Sequence, residues 1–207
     1  MKLILASDLS FLLKYGYNLT GISKSEMKIG YVTTASKVVR DKTFFEKVEK
    51  TISENGYDFE KIDIEGKSKN EILNFFKNKN VIHIEGGNTF YLLKAIRESG
   101  FAEILKELLS EGKVYIGTSA GSYVMCPTIE VSDWNDETVD RFGVSDFTAL
   151  NYVPFVLKVH YKDEMAEIVK EKIKILKYPL RILRDGQGIL VENDKYAFIG
   201  DEEVKLD

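Results

Sequence analysis

Apolar residues recur along this chain in two alternating rhythms. Short runs rich in β-branched and aromatic residues read as strands: Leu3 to Ala6, Lys28 to Ala35, the alternating stretch Tyr57 to Ile64, and Val81-Ile82-His83-Ile84. Between them, apolar residues fall three and four apart, the period of a helix with one buried face. Phe44, Phe45, Val48 and Ile52 mark one such helix, ended by Asn55-Gly56. Ser68 with Glu71 three residues on reads as a capping box opening a second, through Ile72, Leu73, Phe75 and Phe76. Helices from Phe90 to Glu98 and from Ala102 to Leu109 follow, then a strand from Val114. The segment up to about Lys24 reads as mixed loop and helix, with Phe11, Leu12 and Leu13 as its apolar face.

Beyond residue 128 the pattern changes. Ile129 to Thr148 is a polar, acidic loop, Leu150 to Tyr161 is β-like, and Asp163 to Leu176 is an amphipathic helix stopped before Pro179. Leu180 to Leu183, Gly188 to Val191 and Tyr196 to Ile199 then read as strands, with Asn193-Asp194 as a hairpin turn. Strand–helix alternation followed by a hairpin predicts one α/β domain over residues 1–207. Its sheet is parallel, mixed at the edge, with helices on both faces in three layers. Reactive groups in such sheets gather beyond the carboxyl ends of the strands.

Two candidate stretches lie at such ends. Gly117-Thr118-Ser119-Ala120-Gly121 has the G-x-S-x-G form of a strand–turn–helix nucleophile elbow, which lifts a serine hydroxyl out of the backbone toward a base. A helix starting at Ala120 sets free N–H groups beside that hydroxyl. Gly86-Gly87-Asn88 closes the strand holding His83; there Gly87 suits a second oxyanion donor, while Asn88 or Thr89 equally suits a helix cap. The chain has only two histidines. His83, mid-strand among apolar residues, reads as a core histidine, whereas His160 near a strand end is placed either as a surface residue or as a base. Asp133, Asp136, Glu137 and Asp140 all stand between Ser119 and His160 and offer a carboxylate to orient an imidazole. Asp185, in Arg184-Asp185-Gly186-Gln187, reads as a turn former.

Composition narrows the class. An apolar share of 44% with 30% charged residues fits a globular protein, and no apolar run approaches the length of a membrane span. A net charge of -4 argues against a nucleic-acid partner, and a membrane partner is likewise not expected. The single cysteine, Cys126, forms no intramolecular disulfide or metal cluster, which points to a reducing cytoplasm. Neither a metal nor an organic cofactor is implied. Oligomeric state, a homodimer included, stays open.

Two motifs together carry a family resemblance. Glu85-Gly86-Gly87-Asn88-Thr89-Phe90-Tyr91-Leu92-Leu93 and Tyr115-Ile116-Gly117-Thr118-Ser119-Ala120-Gly121, with Cys126-Pro127-Thr128-Ile129 after them, resemble the peptidase E and cyanophycinase family of serine peptidases, peptidase family S51. The resemblance implies a class I glutamine amidotransferase-like, flavodoxin-like α/β fold and hydrolysis of short peptides through an acyl-enzyme. It implies Ser119 as nucleophile, His160 as base, and the N–H groups of Gly87 and Ala120 as oxyanion donors, with Asn88 at the same substrate-binding turn. Asp136 is the third triad member chosen, with Asp133 and Glu137 as neighbours in the same loop. An exopeptidase favouring an N-terminal aspartyl residue is the activity implied. The chain departs from the family at Glu130, where peptidase E continues with arginine; a carboxylate there repels an acidic substrate side chain, and Arg141 or Lys158 are the available substitutes. Two other readings remain at this stage: an α/β esterase or acyl hydrolase, and a binding protein that keeps the fold without the triad.

Overall fold

Alternate side chains of each central strand enter two different cores, and that alternation builds the layers. A computed structural model describes residues 1–134, 139–193 and 195–206. The strands are β1 (Lys2–Ala6), β2 (Lys28–Val32), β3 (Asp58–Ile62), β4 (Val81–Ile84) and β5 (Val114–Thr118). After them come β6 (Val156–Lys158), β7 (Leu180–Ile182), β8 (Gly188–Glu192) and β9 (Lys195–Ile199). The main sheet runs β3-β2-β4-β5-β1-β8-β9. Its pairs are parallel from β3 to β1, and antiparallel for β1–β8 and β8–β9, so the sheet is mixed only at one edge, as the terminal hairpin predicts.

From β1, Leu3 and Leu5 join one core with the helices Lys69–Phe76, Thr89–Ser99 and Phe101–Ser110. Ile4 and Ala6 join the opposite core, beneath the helix Thr43–Glu54 and a helical stretch over 9–19. Helices therefore cover both faces, and two of their starts follow local capping signals. Ser68 and Glu71 close the capping box, and Asn88 caps the next helix through Tyr91 N–H at 2.8 Å. No helix among the described residues is long and apolar enough to cross a membrane.

Two segments differ from the reading of periodicity. Residues 163–176, expected as one helix, form a 3-10 turn at Asp163–Met165 and the shorter helix Ala166–Ile173, because only Val169 of that helix is buried. Val156–Lys158 and Leu180–Ile182 do not extend the main sheet. They pair with each other in parallel, with Lys158 opposite Ile182. The hairpin turn begins at Asn193, whose φ is 49°; Asp194 lies outside the described residues.

Candidate active site

The elbow forms where β5 ends. Ser119 turns the chain with φ 49° and ψ −106° into the short helix Ala120–Tyr123. A left-handed serine costs on the order of 1–3 kcal/mol and persists only where its surroundings fix it. Here the Ser119 N–H donates to the Ala6 carbonyl at 3.1 Å, and the Ser119 carbonyl accepts from Ser122 and Tyr123 N–H at 2.9 and 3.0 Å. Both glycines of the motif are steric requirements. A Cβ on Gly121 would stand 2.2 Å from the Ile84 carbonyl oxygen, and one on Gly117 would stand 2.5 Å from the Gly121 carbonyl.

His160 reaches this serine from the small sheet. Beyond β6 and β7 the pairing continues, with Leu183 N–H donating to the Lys158 carbonyl at 2.8 Å and Tyr161 N–H to the Leu183 carbonyl at 3.1 Å. That register sets His160 beside Asp185. His160 Nε2 lies 3.0 Å from Ser119 Oγ, and His160 Nδ1 lies 2.6 Å from Asp185 Oδ1. The hydrogen bond from His160 holds the Asp185 carboxyl below its ordinary range, against a smaller opposing effect of burial.

Ser7, at the carboxyl end of β1, ties the two together. Its hydroxyl accepts from the His160 N–H at 3.0 Å and donates to Asp185 Oδ1 at 2.9 Å. The Gly186 N–H donates to Asp8 Oδ1 at 2.8 Å, which fixes the turn bearing Asp185. Ser7 is fully buried, so neither bond competes with water. No sequence motif marks it.

The carboxylate on His160 is thus Asp185, which the sequence reads as a turn former, and the order along the chain is serine, histidine, aspartate. Of the loop acids, Asp133 pairs with Arg141, and Asp140 accepts from the Phe142 N–H at 2.8 Å. Asp136 and Glu137 lie outside the described residues. Asn88, expected at the substrate-binding turn, has its groups engaged elsewhere. Its N–H donates to the Ala35 carbonyl at 2.9 Å, its Oδ1 caps Tyr91, and its Nδ2 donates to the Asp140 carbonyl at 2.8 Å. Gly87 stays at the site: its φ of 135° and a Cβ position 2.2 Å from the Ala35 carbonyl oxygen admit glycine alone.

The remaining titratable candidates are structural. His83 is fully buried between Tyr17 Oη at 3.3 Å and Thr118 Oγ1 at 3.4 Å, and burial pushes its imidazole down to about 3. Burial pushes the Cys126 thiol up to about 12. Lys158 is buried with its ammonium on the Val159 carbonyl at 3.0 Å, and Arg141 lies over the Phe90 and Phe147 rings. Neither cation lines the cavity at Ser119, a space of about 190 Å³ that Gly86, Gly87, Ser119 and His160 do line.

A serine raised on a strained turn, an imidazole against its hydroxyl and a carboxylate behind that imidazole define a serine-type hydrolase. The comparisons with known proteins name the family. The model of peptidase family S51 matches residues 13–199. An uncharacterized peptidase of Pasteurella multocida is 30% identical over 206 residues, 98% of this chain and 99% of that one. Peptidase E of a Nostoc species is 30% identical over 195 residues, covering 89% of this chain and 77% of that one. A Listeria monocytogenes crystal structure described as a peptidase E candidate superposes with a TM-score of 0.81 at 24% identity, covering 99% of this chain and 98% of that one. The chain belongs to peptidase family S51. It is a serine peptidase.

Proposed function

We propose that the protein removes the N-terminal residue from short peptides through an acyl-enzyme on Ser119. The observation that carries the residue assignment is the continuous line Ser119 Oγ–His160 Nε2–His160 Nδ1–Asp185 Oδ1, at 3.0 and 2.6 Å. Ser119 Oγ attacks the carbonyl carbon of the substrate's first residue while its proton passes to His160 Nε2. Negative charge develops on the carbonyl oxygen, facing the N–H groups of Ala120 and Gly87, one at the start of a helix and one at a turn that only glycine can make. When the C–N bond breaks, His160 returns the proton to the departing amine. Water, deprotonated by the same imidazole, then releases the first residue from Ser119. Asp185 holds the imidazole with its proton on Nδ1 and balances the imidazolium that forms in each half-reaction. This reading assigns the orienting role to Asp185 in place of Asp136.

The peptidase E resemblance puts dipeptides with an N-terminal aspartyl residue first among substrates to assay. Ser119→Ala is expected to lower kcat on dipeptides by a factor on the order of 10⁴ to 10⁶ and to abolish fluorophosphonate labelling. Dipeptide hydrolysis at the wild-type rate by purified Ser119→Ala protein defeats the proposal. Cytoplasmic location is part of the same reading and rests on the single, buried cysteine.

A further inference from the structure

The cavity beside Ser119 holds a group that the triad does not use. Glu85 follows β4 on the face that carries His83, and only 2% of it is exposed. The Tyr31 and Ser36 hydroxyls stand near enough to Glu85 to favour its charged form, though no hydrogen bond of good geometry reaches either Glu85 oxygen or the buried Tyr31 hydroxyl. Ser36 is turned away, donating to the Thr33 carbonyl at 2.9 Å. Both Glu85 and Tyr31 line the Ser119 cavity, whose other walls include Leu9, Phe44, Phe45 and Val48. A buried carboxyl without well-formed hydrogen bonds is costly in a finished fold, and Glu85 and Tyr31 line one cavity together, so a ligand that supplies donors fits there.

The chemistry of that ligand follows from the walls. No lysine or arginine lines the cavity among the described residues, while Asp8 and Glu85 both do. An anion would meet two carboxylates without a counter-charge. An ammonium or guanidinium group would find acceptors at the base and apolar surface for any methylene stem. The position fits the reaction as well. Glu85 directly precedes Gly86, whose Cβ position lies 3.3 Å from Ser119 Cβ. The carbonyl attacked by Ser119 is bonded to the α-carbon of the substrate's first residue, so this cavity must receive what that carbon bears.

We propose that Glu85 and Tyr31 form the subsite for a positively charged group of the substrate's N-terminal residue. The subsite rests on the exopeptidase reading above and deepens it. Two groups have the required chemistry, the free α-ammonium and a lysine or arginine side chain. Burial raises the Glu85 carboxyl to about 7, and a cation arriving beside it favours the charged form, so binding near neutral pH releases protons. Glu49 and Lys61 are the charged groups that also act on it, in opposite directions.

The test separates the subsite from the chemistry. In Ser119→Ala protein, Leu-Ala, Asp-Ala, Lys-Ala and N-acetyl-Leu-Ala are titrated calorimetrically at pH 7 in buffers of different ionisation heat. We expect tenfold or greater weakening on adding Glu85→Gln, with loss of the proton release that accompanies binding. If the α-ammonium is the ligand, all three free peptides weaken alike and the acetylated one binds poorly from the start. If a basic side chain is the ligand, only Lys-Ala weakens. Equal affinity and equal proton release with and without Glu85→Gln overturn the proposal, as does an absence of binding by every peptide at millimolar concentration. Hydrolysis of the same peptides by wild-type protein tests the peptidase reading separately: binding through Glu85 without turnover sinks that reading and leaves the subsite standing.

Discussion

Replacing Glu85 by glutamine removes a buried titratable group with little change of shape, and the consequence for stability has a definite sign. Burial lifts this carboxyl from its ordinary 4.5 to about 7. Between those values the folded protein holds a proton that the unfolded chain has released, so wild-type stability falls as pH rises through the window and levels off above it. At about 1.4 kcal/mol per pH unit the full loss is about 3 kcal/mol, since the group is almost wholly buried and little screened by water. Glu85→Gln escapes that loss. Its buried amide brings a cost of its own, but one that does not change with pH. His83 works in the opposite direction, since its lowered value means stability is lost as pH falls, and it is common to both proteins. The difference between the two proteins therefore isolates Glu85. Urea unfolding at fixed pH values from 5 to 9 should show the variant gaining about 3 kcal/mol on wild type across the series, or roughly 6–12 °C in Tm. A difference that stays flat within about 0.5 kcal/mol refutes the claim that burial raises the Glu85 carboxyl.

Other substitutions probe the rest of the site. Asp185→Asn should lower kcat by a factor on the order of 10² to 10⁴, and Asp136→Asn should leave it within about twofold; the reverse pattern in steady-state kinetics refutes the assignment of Asp185. Ser7→Ala removes one hydrogen bond to each of His160 and Asp185. It should cost about tenfold in kcat with KM little changed, the effect of one or two buried hydrogen bonds. Gly121→Ala drives a Cβ against the Ile84 carbonyl, so its melting temperature should fall by about 10 °C or more, or the protein should fail to fold. Cys126 should resist iodoacetamide in the native protein and react only after unfolding, because its thiol is buried and its value is raised to about 12.

The parts of this molecule that could be read from its sequence are those fixed by short-range rules. Val81–Ile84 declares itself as a strand by its short β-branched run around His83, and the Ser68–Glu71 box opens its helix where the spacing places it. The elbow is legible because two glycines around one serine meet a steric need within five residues. Asp185 was hidden for the opposite reason. It meets His160, 25 residues earlier, through a parallel pairing of two three-residue strands too short to carry a periodic signal. Glu85 was visible as a letter beside the glycines, but its meaning lies in burial, and burial of an acid depends on which face of β4 it continues. Asn88 offered both a cap and a substrate contact, and the local hydrogen-bond partners decided for the cap.

The site's acid is delivered by the antiparallel edge of the sheet, and this bears on how the enzyme comes into being. Asp185 stands just before β8, which must lie along β1 for the Gly186–Asp8 and Ser7–Asp185 bonds to form. A chain emerging from the ribosome as far as residue 180 already contains the nucleophile and the imidazole, yet lacks the carboxylate that meets His160 Nδ1. With Asp185 as the orienting acid, proteolytic competence waits until β8 has paired with β1. A copy cut before Asp185 then carries a serine without its orienting acid.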